Sequence, residues 1–241
     1  LIEVVAETGS TNADLASRIA TGSPAVEGHW LVADRQVAGK GRLGRVWNDG
    51  AGNFMGSTVV RLRPGDPAAA TLALATGLAV HDALATYVPD GLSLKWPNDV
   101  LLRCTPGSSE HGKVAGILLE MVAGAVVVGI GVNLAYAPAV PGRTVMALRD
   151  AGVAPNRDGF AERMAQTFAA ELDRWRKAGL PPLLRRWEAT AHPLGTRLQI
   201  HPPGEDAVEG AFAGLSGNGN LQLKLADGTV RLINAGDVVL V

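Results

Sequence analysis

Residues 92–103 read LSLKWPNDVLLR, residues 113–121 read KVAGILLEM and residues 125–134 read AVVVGIGVNL. Apolar stretches at 92–96, 99–103, 113–121 and 125–134 are separated by turn-forming residues, which is the pattern of adjacent antiparallel strands. They predict a mixed sheet at the centre of the chain. Upstream, residues 2–7 read as a strand, and Ser10, Thr11 and Asn12 offer caps for a helix to about Thr21. Residues 30–35 and 53–62 are strand-like, and residues 37–52, rich in glycine and charge with no hydrophobic period, are a long loop. Asp66 and Pro67 read as a cap with proline at the first helical position, opening a buried helix to about Tyr87.

Downstream, residues 160–177 and 183–191 carry apolar residues at helical spacing. The pattern then changes to five short strands, 197–201, 209–215, 221–225, 230–233 and 238–241, joined by Gly, Asn and Asp turns. The expected fold class is α+β: a domain of residues 1–191 with a mixed, largely antiparallel sheet flanked by helices, then a small β-barrel domain of residues 192–241.

The composition narrows what such a fold can be for. With 47% hydrophobic and 19% charged residues among 241, the chain is globular rather than disordered. A net charge of −1 argues against a protein held to nucleic acid or membrane by its overall field, so any anion site must be local. One cysteine, Cys104, supports neither an internal disulfide nor a thiolate metal cage, and the five histidines lack metal-ligand spacing. No metal site is expected. The first nine residues hold two glutamates and no basic leader, and the longest apolar run, 67–80, is too short to span a bilayer. These features predict a soluble protein of a reducing compartment, the cytoplasm, with no membrane partner.

Four constellations could carry chemistry. Residues 39–45 read GKGRLGR, three glycines and three cations in seven positions, where bare backbone amides and charge-assisted donors could meet an anion. The string matches G-x-G-x-x-G, but residues 47–52, WNDGAG, are turn chemistry where a dinucleotide fold needs a helix, and no Ser or Thr follows Lys40 as a P-loop requires. A solvated loop is the plain alternative. In Lys95 to Asp99 the proline fixes a bend, so that Asn98 and Asp99 are expected to aim outward; a tight turn is the competing reading. Lys113 heads a strand whose Gly116 leaves room for a ligand or a neighbouring backbone. Finally, Gly129 and Gly131 alternate on one face before Asn133, which would admit a flat ligand or simply tight sheet packing.

Lysine usage links them. Seventeen Arg accompany five Lys, and three of those five, Lys40, Lys95 and Lys113, fall in these segments. An ammonium beside apolar strands needs an anion nearby, and an anionic ligand would supply it. No hydrolase template fits: residues 214–218, GLSGN, miss G-x-S-x-G, and without an evident nucleophile the chemistry is expected to rest on positioning and electrostatics.

In order, Ser10-Thr11-Asn12, Gln36, the 39–45 loop with Trp47, the KWPND segment, Lys113 to Ile117 and Gly129 to Asn133 resemble the biotin protein ligases over residues 1 to about 190. The C-terminal strands are similar to that family's SH3-like domain. The resemblance implies activation of biotin by ATP to biotinyl-5′-AMP, with Mg²⁺, and transfer of biotin to a lysine of a biotin carboxyl carrier protein. It implies that Ser10, Thr11, Asn12, Gln36, Gly39, Lys40, Gly41, Gly116 and Gly131 bind biotin. Arg42 and Lys113 would hold its carboxylate and then the acyl phosphate, as the catalytic pair. Arg45, Lys95, Asn98 and Asn133 would serve the nucleotide, and Trp47 would stack on adenine.

Two departures stand out. The family often has Arg where this chain has Lys40. Bifunctional members carry an N-terminal DNA-binding helix-turn-helix, whereas this chain begins at the catalytic domain, so DNA binding is not expected. Dimers occur in the family, which makes a homodimer one expected state. The alternatives are a lipoate-type ligase, whose RR-x-S/T-GGG loop is missing here, and a non-catalytic regulator that holds biotin or its adenylate.

Overall fold

The computed structural model describes residues 1–48 and 50–241. Seven strands form one sheet: β1 (Ile2–Thr8), β2 (Trp30–Gln36), β3 (Phe54–Arg61), β4 (Leu92–Lys95), β5 (Asp99–Arg103), β6 (His111–Val122) and β7 (Ala125–Val132). Their order is β1-β2-β3-β7-β6-β5-β4, with β1 parallel to β2 and all other neighbours antiparallel. The four segments from residue 92 to 134 are therefore the adjacent antiparallel strands that their turns predict.

Alternation along the strands divides the sheet into two faces. From β7, Val126, Val128, Ile130 and Val132 enter the main core beneath α2 (Leu72–Ala85), α3 (Arg157–Ala178) and α4 (Leu180–Thr190). On the opposite face Ala125 and Val127, with Val59 and Leu31, meet Leu15 and Ile19 of α1 (Thr11–Ala20). That helix is capped by Ser10, whose hydroxyl accepts from the Ala13 amide, and it stops there. Gly129 and Gly131 continue the same face beyond the body of that helix, Gly129 meeting only its N-terminal Asn12, and this patch is where the polar residues collect.

The second sheet is antiparallel throughout: β8 (Arg197–His201), β9 (Val208–Leu215), β10 (Leu221–Lys224), β11 (Val230–Ile233) and β12 (Asp237–Leu240), in the order β11-β10-β9-β8-β12. Its buried Leu198, Ile200, Phe212 and Leu223 join the same core as the larger sheet. Trp96 Nε1 donates to Gly219 O at 3.1 Å and Lys95 Nζ to Val238 O at 2.9 Å, so the KWPND turn is tied directly to this sheet.

One predicted boundary moves. Asp66 does not open a helix. Its carboxylate accepts from the Arg63 amide and pairs with Arg176, closing a turn instead, and the chain passes a 3-10 turn at Ala69–Thr71 before α2 begins at Leu72. The arginine of a helix more than a hundred residues away outcompetes the local cap.

Candidate active site

Register sets out the site in rows across the open face. Lys95, Asp99, Gly116, Gly131 and Met55 are successive neighbours from β4 to β3. The next row runs Leu118, Gly129 and Ser57, and the one after it Glu120, Val127 and Val59. Between Val100 and Leu101 the pairing of β5 with β6 slips by one residue. This bulge brings Lys113 to the face of Gly116: a Cβ on Gly116 would lie 2.8 Å from Lys113 Nζ.

Over the second row sits the N-terminus of α1. A Cβ on Gly129 would lie 2.2 Å from Asn12 Oδ1, so glycine is what lets the helix end approach the strand. Asn12 Oδ1 accepts from Ser57 Oγ at 2.6 Å, and Asn12 Nδ2 donates to Glu120 Oε2 at 2.7 Å. Ser57 Oγ is 2.7 Å from Thr11 Oγ1, and Gln36 Oε1 accepts from the Thr11 amide at 2.8 Å and lies 3.1 Å from its hydroxyl. Ser10, Thr11, Asn12, Ser57 and Gln36 are all buried, yet each lines a common cavity with Gly56, Gly116 and Gly131. This end is uncharged, and its polar groups are already paired with each other.

Charge gathers at the other end. Asp99 is buried between Lys113, at 2.6 Å, and Lys95, at 3.0 Å. Burial pushes the Asp99 carboxyl up, but the two ammoniums, Lys113 first, hold it far below the usual carboxylate range. Asp99 therefore does not aim outward as the turn suggested, and it supplies the counter-charge that the lysines were expected to find in a ligand. Asn98 Nδ2 donates to Ile117 O at 2.7 Å, which leaves its Oδ1 to accept from Arg42 Nη1 at 3.0 Å. Burial lowers the Arg42 guanidinium from its ordinary value, although Asp99 and Asp237 oppose that shift. Such a cation is short of compensating charge, the condition in which an arriving anion gains most.

The glycine loop folds back on itself rather than running free. Trp47 N donates to Gly39 O at 2.9 Å, Gly41 N to Arg45 O at 2.7 Å, and Arg42–Gly44 form a 3-10 turn with Leu43 at φ 57°. Gly39 cannot be another residue here, since its Cβ would lie 2.6 Å from Trp47 O. Lys40 is exposed at the cavity edge, and Asp49 of the 47–52 turn lies outside the described residues.

The flat shelf anticipated at the glycines is real, but its occupant is the protein's own indole. A Cβ on Gly131 would lie 2.3 Å from Trp47, and Lys113 Nζ stands 5.6 Å from the ring centroid. Trp47 thus forms a wall between the first cavity and a second one, which Arg45, Asn133, Val140, Arg143 and Asp237 line. Gly41, Arg42, Trp47, Asn98 and Lys113 line both. Asn133 is buried; its Nδ2 donates to Met146 O at 3.1 Å, while its Oδ1 has no partner among the described residues.

Two of the expected nucleotide residues already have carboxylate partners. Lys95 is committed to Asp99 and Val238 O and lines neither cavity. Arg45 makes a bidentate pair with Asp237 of β12, at 3.1 and 2.7 Å, and Arg143 joins the same carboxylate at 2.7 Å. Sequence reasoning missed Ser57, Glu120, Asp237 and the role of Asp99. It also missed Asn53, whose Oδ1 accepts from the amides of residues 134–136 and fixes the turn after β7.

Two adjoining cavities, one neutral at its head and one carrying Arg45 and Arg143, meet at the shared Arg42 and Lys113, an arrangement that suits an enzyme joining two ligands. Residues 10–135 match the model of the biotin/lipoate A/B protein ligase family and residues 199–241 that of the biotin protein ligase C-terminal domain, and the chain belongs to this family. It is 39% identical to the biotin--[acetyl-CoA-carboxylase] ligase of Mycobacterium tuberculosis, over 99% of this chain and 88% of the relative. The ligase of the same name from Paracoccus denitrificans is 40% identical over 92% and 93%. Among solved structures, the biotin protein ligase of Aquifex aeolicus in complex with biotin and ATP superposes with a TM-score of 0.84 at 26% identity, covering 100% of this chain and 98% of that one.

Proposed function

We propose that the neutral cavity takes the ring of biotin, that the cationic cavity takes ATP, and that Arg42 and Lys113 act where the two meet. The enzyme is a biotin ligase that activates biotin with ATP and transfers it to a biotin carboxyl carrier protein. One observation carries the assignment of roles: the residues common to both cavities include Arg42, Asn98 and Lys113, at the junction a carboxylate and an α-phosphate must share.

In the first step a biotin carboxylate oxygen attacks the α-phosphorus, the bond from that phosphorus to the bridging oxygen breaks, and pyrophosphate leaves. Negative charge accumulates on the transferring phosphoryl oxygens. Arg42, oriented by Asn98 Oδ1, and Lys113, oriented by Asp99, stand ready before the charge develops, so little reorganisation is required. In the second step the neutral amine of the carrier lysine attacks the acyl carbon, the bond to the phosphate oxygen breaks, AMP leaves and the nitrogen gives up a proton. Asn133 Oδ1, buried without a partner, fits the exocyclic amino group of adenine against Trp47.

Among the described residues no three His, Cys, Asp or Glu side chains form a metal cluster, and the carboxylates that line the second cavity are already paired, Asp99 with two lysines and Asp237 with two arginines. That setting fits Mg²⁺ arriving on the nucleotide's phosphates better than a dedicated protein cage. A lipoyl ring has no hydrogen-bonding groups to exchange with Thr11, Asn12, Gln36 and Ser57, whereas a cyclic urea has three, so the head of the cavity favours biotin. No described helix is long and apolar enough to cross a membrane. We assign residues 1–191 to the catalytic domain and residues 192–241 to the C-terminal domain, which lends Asp237 and the Val238 carbonyl to the rim of the site.

ATP–pyrophosphate exchange tests the reading. Exchange that depends on biotin and is not supported by lipoate is the expected result. Exchange with lipoate at a comparable rate, or none with either, would overturn it.

A further inference from the structure

Glu120 does not line the neutral cavity. It stands one row along the sheet, beside Val127, and its carboxylate receives Asn12 Nδ2 at 2.7 Å. The two ends of an asparagine amide have almost the same shape, so which end faces which neighbour is decided by the hydrogen bonds available. A carboxylate offers only acceptors.

Following that constraint along the chain of contacts keeps every hydroxyl proton inside it. With Nδ2 turned to Glu120, Asn12 Oδ1 must face Ser57, and the single hydroxyl proton of Ser57 is spent on it at 2.6 Å. The Thr11 hydroxyl then has two acceptors within reach, Ser57 Oγ at 2.7 Å and Gln36 Oε1 at 3.1 Å, and its proton goes to one of them. Gln36 Oε1 is held independently by the Thr11 amide, which turns its NH₂ group away from Thr11. Both hydroxyl protons are consumed inside the cluster, so Thr11 and Ser57 show the cavity lone pairs and no donors.

We propose that Glu120 is a positioning residue for substrate specificity: by fixing the amide direction of Asn12 it makes the hydroxyls at the head of the cavity acceptors, the polarity that the two N–H groups of a cyclic urea require. Without it the Asn12 amide can reverse, donate to Ser57 Oγ and release the serine proton, which sets a donor against a urea N–H. This rests on the reading that the neutral cavity takes the biotin ring.

The test is steady-state pyrophosphate exchange with biotin varied, on Glu120→Leu, Glu120→Gln and Asn12→Ala, with ATP varied in parallel. Glu120→Leu should raise the KM for biotin about tenfold, the scale of one mispaired hydrogen bond, while kcat and the KM for ATP stay within about twofold. Glu120→Gln keeps an acceptor for Asn12 Nδ2 and should recover biotin KM to within about threefold of the parent. If Asn12→Ala raises the biotin KM and Glu120→Leu does not, the cavity assignment stands and the role of Glu120 falls. A loss of kcat in Glu120→Leu at unchanged biotin KM, or a Gln variant as impaired as the Leu variant, also overturns it. If Asn12→Ala leaves biotin KM unchanged, the ring does not bind here and the proposal fails with that reading.

Discussion

The neutral head of the site and its cationic junction are both built from groups that are polar and largely buried, but they are stabilised in different ways. At the head, Gln36, Thr11, Ser57 and Asn12 pass hydrogen bonds to one another over 2.6 to 3.1 Å, and most of their donors have a home before any ligand arrives. At the junction, one buried carboxylate, Asp99, balances two lysines, while Arg42 has a neutral amide oxygen for its close partner and is left short of charge. The first arrangement selects a shape and a donor pattern. The second stores positive potential that only an anion completes. Recognition can therefore be exchanged for a similar hydrogen-bond set at modest cost, whereas disturbing the junction costs stability at its buried carboxylate and rate at its uncompensated guanidinium.

The contrast can be broken most severely at Asp99. Asp99→Asn leaves Lys95 and Lys113 facing each other without a counter-charge, and we expect a loss of about 3 kcal/mol in urea unfolding, the scale of breaking a buried pair. A loss below about 1 kcal/mol would mean that solvent already screens the lysines. Next in size is Arg42→Ala, which should slow pyrophosphate exchange about a hundredfold, equivalent to one preorganised donor, with the melting temperature unchanged. Exchange at the parent rate would remove Arg42 from the reaction.

Acid separates the site from its surroundings. His192, packed on Phe212 at 4.5 Å between ring centroids, is pushed down to about 4 by burial. The folded state thus resists a proton that the unfolded chain takes up near 6.5, so stability is full above that value and declines as the pH falls towards 4, by about 3 kcal/mol. Asp99 responds later: its folded value lies below its unfolded one, so its contribution is intact above about 3.8 and lost only beneath it. His192→Phe should flatten the upper part of the stability curve between pH 6.5 and 4 and leave the lower part in place. An unchanged curve would assign the acid sensitivity elsewhere. Smallest is Ser57→Ala, which removes one link of the head cluster and should raise the KM for biotin about fivefold to tenfold with little effect on kcat. Equal losses in both parameters would contradict a purely recognitional head.

Much of this organisation can be read along the chain. The apolar segments after residue 92 produce neighbouring strands because the turns from β4 to β5 and from β6 to β7 are short, and the cap at Ser10 is where α1 begins. The glycines at 116, 129 and 131 were legible as missing side chains on one face. What fills the space was not: Asn12 and Trp47 are neighbours of those glycines only through the register of β3, β7 and β6. Glu120 and Asn12 lie 108 positions apart, and Arg45 and Asp237 are separated by 192. No local pattern carries such a pairing. Ser57 looks like any small polar residue in a strand, and Asp99 like the last residue of a turn, because their meaning depends on partners that only the assembled sheet supplies.

Of the five tryptophans, Trp30, Trp96, Trp175 and Trp187 are sealed in the core, at most 3% exposed, and Trp47 alone stands between the two cavities. Indole emission responds to nearby charge and to water, so four of the fluorophores form a constant background while the fifth sees an ammonium 5.6 Å away. The molecule consequently carries its own optical gauge of occupancy. A carboxylate drawn to Lys113 and a base stacked on the ring would each alter the same emission band, and stopped-flow mixing without any label could order the two arrivals in time.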